Sequence, residues 1–208
     1  MRARDNPFCT ERVLRVRYKL REVTWPELLR RLERLNCRAA IVGPHGAGKT
    51  TLLEDLEPVL VQRGFTIRRL RLDEEHRSFD RGFLNDFCAG LNQRDAILFD
   101  GAEQLNRWAW LKFKSRTRTA RGLIITSHDT GRLPTLIECR TTPELLGEIV
   151  GEVLGGKACF VYDLAPELFR KYDGNLRDAL RELYDLFADT MDAGIASDSA
   201  PMSRVISR

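Results

Sequence analysis

Gly43-Pro-His-Gly-Ala-Gly-Lys49-Thr50 fits the pattern G-x-x-x-x-G-K-[ST] at every fixed position. The pattern has a physical basis. Glycines let the backbone turn so that successive N–H groups point at one anion, and the positive end of a following helix adds to that field. The lysine ammonium is placed for the β- and γ-phosphates of a nucleoside triphosphate, and the threonine hydroxyl for a magnesium ion. The nucleotide-binding set is therefore Gly43, Pro44, His45, Gly46, Ala47, Gly48, Lys49, Thr50 and Thr51, with His45 at a variable position. A second feature lies 51 positions beyond Lys49, where the apolar run Ala96-Ile-Leu-Phe ends in Asp100. A carboxylate at the C-terminal end of a buried strand beside the loop strand suits the metal side of such a site. Thr50 and Asp100 are thus the expected metal ligands, and ATP with Mg2+ the expected cofactors.

These residues need a frame, and the hydrophobic pattern supplies one. Arg38–Val42, Phe65–Leu72, Ala96–Phe99, Leu123–Thr126 and Leu136–Cys139 read as short apolar strands. Helical segments over Lys49–Gln62, Ser78–Leu91 and Glu103–Lys114 alternate with them. That alternation predicts an α/β fold: a parallel-sheet P-loop NTPase core with helices on both faces. Thr24-Trp25-Pro26-Glu27 is a capping box opening a helix to about Asn36. Thr142-Pro143-Glu144 opens a further helix to about Leu154, and Ala165–Tyr172 and Asn175–Phe187 read as two more. The expected organisation is an N-terminal strand segment (1–23, from the alternation of residues 13–20), the core (24–141), a small C-terminal helical lid (142–188) and a loose polar tail (189–208).

Composition narrows the class. The 208 residues are 43% hydrophobic with a net charge of +4, enough for a full core and little bias toward a polyanion. No apolar run is long enough to span a membrane. The first residues are charged, without the apolar segment of a secretory signal. The five cysteines are scattered and the three histidines isolated, which points to reduced thiols in a cytoplasm and away from a zinc site.

The ordered set of glycine loop, apolar strand ending in Asp, polar strand tip and late helices carrying Gly174-Asn-Leu-Arg177-Asp-Ala-Leu resembles the AAA+ family, with its initiator and clamp-loader branches nearest in look. The resemblance covers about residues 24–188 and implies a Mg-dependent ATPase working as a nucleotide-driven switch or motor. It places Ser127, or Thr126, as the strand-tip group that orients water beside the γ-phosphate. Arg177 falls where the lid arginine reads that phosphate. Arg132 or Arg140 stands where an arginine finger occurs. The chain departs from the pattern at Gly101, since in many such ATPases a glutamate directly follows the metal-side aspartate. A small residue there with an acid three positions on resembles NACHT-type signalling ATPases, which makes Glu103 the candidate base. The expected catalytic set is Glu103, Lys49, Ser127 and Arg177.

Two other classes stay open at this stage. The loop and Gly64-Phe-Thr-Ile-Arg68 resemble the start of thymidylate-kinase-like enzymes, though no arginine-rich lid for a second substrate is evident. A non-hydrolysing nucleotide-gated module is the other alternative, kept open by Gly101. An ABC-type signature is missing, and Asn92-Gln-Arg-Asp95 imitates a guanine-reading motif in the wrong place. Partners are less defined. Gln104 to His128 contains no acid. Within it Arg107, Lys112, Lys114, Arg116, Arg118 and Arg121 interleave with Trp108, Trp110 and Phe113, so residues 104–121 form a candidate nucleic-acid surface. The blander account is an amphipathic helix whose aromatics are core and whose arginines are solvated or pair with a neighbour's acids; a homo-oligomer or another protein is a further candidate partner.

Overall fold

In the computed structural model, residues 6–155 and 159–192 are described. The chain divides into two compact units. One comprises residues 18–44 and 48–139. The other comprises the N-terminal residues through Arg17, the loop tip His45–Ala47 and the chain from Arg140 onward.

The first unit is a five-stranded parallel sheet with its covering helices. In chain order it runs α2 (Trp25–Arg34), β1 (Arg38–Val42), α3 (Lys49–Gln62), β2 (Thr66–Arg71), α4 (Arg81–Ala89), β3 (Asp95–Asp100), a 3-10 turn (Ala102–Gln104), α5 (Arg107–Arg116), β4 (Gly122–Ser127) and β5 (Thr135–Glu138). The strand order is β2-β3-β4-β1-β5, all parallel. β3 and β4 are buried almost throughout, as expected of strands covered on both faces. Ala40, Val42, Ile97, Phe99, Leu123 and Ile125 share one face and pack with Trp110 and Phe113 of α5 and with Leu84 and Phe87 of α4. The intervening residues point the other way. On that side α3 runs along β1 to β4, and α2 lies against β5. The capping box forms at the start of α2. Glu27 accepts from the backbone N–H of Thr24 at 2.8 Å. Its bonds to Thr24 hold the Glu27 carboxyl below the usual range.

The second unit is helical. It contains α1 (Thr10–Val13), α6 (Pro143–Leu154), α7 (Cys159–Lys171) and α8 (Leu176–Asp192). Leu145, Leu146, Val150, Leu168, Leu176, Ala179, Leu180 and Leu183 form its core, to which Phe8 adds an edge-on contact with Phe187.

Four expectations need correction. Residues 13–20 form no strand: α1 ends at Val13, Leu14 is exposed, and the N–H of Tyr18 donates to the Asp55 carboxylate at 2.9 Å instead of to a neighbouring strand. The helix expected from Glu103 is broken. Ala102–Gln104 is a single 3-10 turn. Asn106 then caps a fresh α5 by accepting from the N–H of Ala109 at 2.9 Å, the bond that satisfies an orphan donor of a helix start. α7 begins at Cys159, upstream of the expected Ala165, and carries Pro166 in its interior. α8 continues to Asp192, so the expected tail from residue 189 is helical at its start, and residues 193–208 lie outside the described residues.

Candidate functional site

The parallel register brings the expected residues to the C-terminal edge of the sheet, where open α/β folds bind ligands. β1 ends at Val42 and runs directly into the glycine loop. Its neighbour is β4, so β4 lies between the loop strand and the strand of Asp100. Register pairs Ile41 with Thr126 and Val42 with Ser127 on one side of β4. On its other side Phe99 pairs with Ile125, which leaves Asp100 level with Thr126.

The side chains meet accordingly. Thr126 donates its hydroxyl to Asp100 Oδ1 at 2.7 Å and accepts from the N–H of Gly101 at 2.8 Å. Thr50 Oγ1 lies 3.2 and 3.1 Å from the two carboxylate oxygens of Asp100. Lys49 is buried and donates from Nζ to the carbonyls of Gly43 and Pro44, each at 2.7 Å. Gly46 and Gly48 hold φ of +69° and +78°. Such left-handed steps turn successive N–H groups inward. Lys49 opens α3 immediately after this turn. A threonine hydroxyl beside a carboxylate is the hard-oxygen donor set that suits Mg2+. A buried ammonium over a turn of inward N–H groups suits polyphosphate. The residues present therefore fit Mg-nucleotide.

Sequence reasoning missed several neighbours. The Tyr18 ring lies 3.1 Å from where a Cβ on Gly48 would stand, and its hydroxyl pairs with the Cys139 thiol; burial pushes both of these groups up in pKa. Only an erroneous strand alternation had marked Tyr18. Arg71, in register with Asp100, holds Nε 4.0 Å from Asp100 Oδ2. Of the two residues at the β4 tip, Thr126 is the one bonded to Asp100, whereas the sequence put Ser127 first; Ser127 is equally buried. His128, just beyond β4, lies 3.3 Å from Glu103 Oε1.

Gly101 explains the missing glutamate. Its φ is +82°, and a Cβ there would stand 2.1 Å from the carbonyl oxygen of Leu72, just beyond β2. No side chain fits. The nearest following acid is Glu103, whose carboxyl group is mostly buried. Its 3-10 turn is pinned by Arg132, which donates to the carbonyls of Glu103 and Leu105 at 3.2 and 2.6 Å and lies over the Trp110 ring. Arg132 is thereby engaged within its own unit.

Within the helical unit, the Asn175 side chain reaches the loop tip: a Cβ on Gly46 would lie 1.9 Å from Asn175 Oδ1. Asn175 also accepts from the N–H of Arg177 at 3.1 Å, fixing the first turn of α8. Arg177 is exposed, with no carboxylate partner among the described residues.

No protein-family model and no curated protein sequence matches the chain. Solved structures do. RuvB from Thermotoga maritima, carrying a single substitution, aligns at a TM-score of 0.60 and 18% identity over 91% of this chain and 70% of that one. A second structure, described as the Thermotoga maritima RuvB Holliday junction branch migration motor, aligns at a TM-score of 0.57 and 17% identity, with the same coverage of both chains. The chain shares the fold of these RuvB structures. A further RuvB variant aligns at 0.53 and 15% identity over 84% of this chain and 65% of that one. At these identities the likeness concerns the fold. Among the described residues no helix is long and apolar enough to cross a membrane.

Proposed function

We propose that this protein binds ATP with Mg2+ and hydrolyses it, the nucleotide state acting as a switch on the helical unit. The observation that carries the proposal is that Thr50 and Thr126 both reach the Asp100 carboxylate across the sheet, with Lys49 held by the carbonyls of the glycine loop. Lys49 and the loop N–H groups would hold the β- and γ-phosphates, and Thr50 and Asp100 would hold the metal, which supplies charge neutralisation at the transferred phosphoryl group. Thr126 keeps the Asp100 carboxylate oriented through one short hydrogen bond. Glu103, on the turn pinned by Arg132, is the proposed acceptor of the water proton, with His128 beside it. Arg177 is the proposed reader of the terminal phosphate, on a helix whose capping Asn175 already lies against the loop tip.

The test is phosphate release with Mg2+ and with chelator, in the wild type, Asp100→Asn and Glu103→Gln. Glu103→Gln should bind ATP normally while turnover falls about 10²–10⁴-fold, the scale of a lost general base. Full turnover in Asp100→Asn would remove the metal assignment, and full turnover in Glu103→Gln would place the base elsewhere.

The Holliday junction named for one RuvB neighbour makes nucleic acid a partner class to test, and self-association is tested beside it. The aromatic part of the 104–121 segment is smaller than its sequence suggests. Trp110 and Phe113 are core, and Trp108 alone is exposed, at 81%, beside exposed Arg107 and Lys112. That face supports a contact in which a base or a partner's side chain stacks on Trp108.

A further inference from the structure

The remaining basic residues of that segment do something different. A cavity of about 850 Å3 opens at the N-terminal edge of the sheet, the end opposite the glycine loop within the same unit. Arg38, Lys114, Arg118 and Arg121 line it, with Glu33 the one carboxylate among the lining residues. Glu33 is taken by Arg63. Lys114, Arg118 and Arg38 have no carboxylate partner among the described residues, and Arg121 lies over the Phe65 ring.

Two features make this more than a solvated basic face. Arg38 opens β1 and is half-buried. Its Nη1 donates to the carbonyls of Thr117 and Ala120 at 3.3 and 3.2 Å, while its Nη2 is buried with no hydrogen-bond partner. A buried guanidinium nitrogen left unpaired is costly. Burial and the nearby Arg118 charge both lower its pKa, so two cations stand within range of mutual repulsion. In addition, the turn entering β1 places Asn36 and Cys37 at φ +53° and +54°. The left-handed conformation costs a residue such as Cys37 roughly 1–2 kcal/mol, and asparagine less. Both residues line the cavity. Unpaired like charges and strained backbone persist at a site more readily when a ligand compensates them.

We propose that this cavity is a second anion site, which takes a compact ligand bearing two or more phosphoryl groups. Arginine's planar fork matches phosphate oxygens, and an anion there would pair Arg38 Nη2 and relieve the Arg38–Arg118 repulsion. The absence of aromatics among the lining residues favours a small polyanion over a stacked nucleic-acid strand.

Inorganic tripolyphosphate, titrated calorimetrically in the absence of Mg2+, is the probe. The Lys49→Ala variant serves as host, so that the glycine loop does not contribute. One site is expected. Adding Arg118→Gln, or separately Arg38→Gln, should weaken it about tenfold or more, the scale of one charge-assisted hydrogen bond. Arg181→Gln, an equal charge loss on exposed α8 surface outside the cavity, should change it by less than about twofold. Arg118 is exposed, so its variant keeps the fold and the test does not depend on Arg38→Gln folding. No binding to the host, or equal weakening by Arg181→Gln, would overturn the site. Displacement of tripolyphosphate by an equimolar single-stranded oligodeoxynucleotide would overturn the compact-ligand assignment. None of these outcomes depends on ATP turnover, so failure of this site and failure of the proposed ATPase are separable.

Discussion

Gly101→Ala tests the account of why no glutamate follows Asp100. Two costs are expected. The first comes from the backbone, since Gly101 holds φ +82°. A non-glycine residue in that left-handed conformation is disfavoured by roughly 1–2 kcal/mol. The second is steric, because the new Cβ would stand 2.1 Å from the Leu72 carbonyl oxygen and must push backbone aside. Overpacking of that kind costs about 1–3 kcal/mol. The total is about 2–5 kcal/mol. The control is Gly64→Ala. Gly64 sits at φ +84° in the same unit, with nothing within 4 Å of an added Cβ, so it carries only the first cost. Both substitutions reduce unfolded-chain entropy alike, so that effect cancels in the comparison. With a melting shift of roughly 2–4 °C per kcal/mol for a chain of this size, Gly64→Ala should melt about 2–8 °C lower than wild type. Gly101→Ala should lie about 2–12 °C below Gly64→Ala. The assay is thermal unfolding followed by circular dichroism on the three proteins in parallel. Equal shifts in the two variants would refute the steric argument and reopen position 101 to a larger residue.

Lys49→Ala should nearly abolish ATP binding by removing a charge-assisted contact of roughly 1.5–3 kcal/mol, and unchanged affinity in a titration would sink the loop assignment. Thr126→Val leaves the Gly101 N–H without its acceptor and Asp100 without its short donor. A loss of about 1–3 kcal/mol in denaturant unfolding is expected, with a larger fall in Mg-nucleotide affinity than Ser127→Ala produces. The ranking of these two variants decides which β4 tip residue serves the site. Arg177→Ala should weaken ATP more than ADP, and equal losses for the two nucleotides would remove the lid role.

Local chemistry made the loop legible: Gly43 to Thr50 needs only its own residue types and the strand and helix on either side. Asp100 was legible because a fully buried strand ends in an acid. What the sequence could not supply was lateral. The order of strands is set by which buried faces match, so the neighbour of Asp100 across β4 followed from register and not from any motif. The same limit hid Arg71, which register alone sets beside Asp100. Alternation over 13–20 misled because period two needs a paired neighbour to become a strand, and Tyr18 bonds Asp55 instead. For Trp110 and Phe113 the sequence left a basic-aromatic surface and an amphipathic helix with core aromatics both open, and the packing of α5 on the sheet decides for the core. The break before α5 was readable in retrospect from Asn106, a favourable cap.

The Leu72 carbonyl beside Gly101 also bears on how this site can change over generations. A codon change placing glutamate at 101 would meet an occupied volume, so the familiar base position is closed to any single mutational step. A chain with this backbone reaches it only after the exit from β2 has shifted, and a shift there first would loosen a bond that aligns β2 with Asp100, since the Leu72 N–H donates to the Asp100 carbonyl. The order of substitutions is therefore constrained, and lineages sharing this turn are expected to explore acids further along the chain, where Glu103 stands, before they revisit 101.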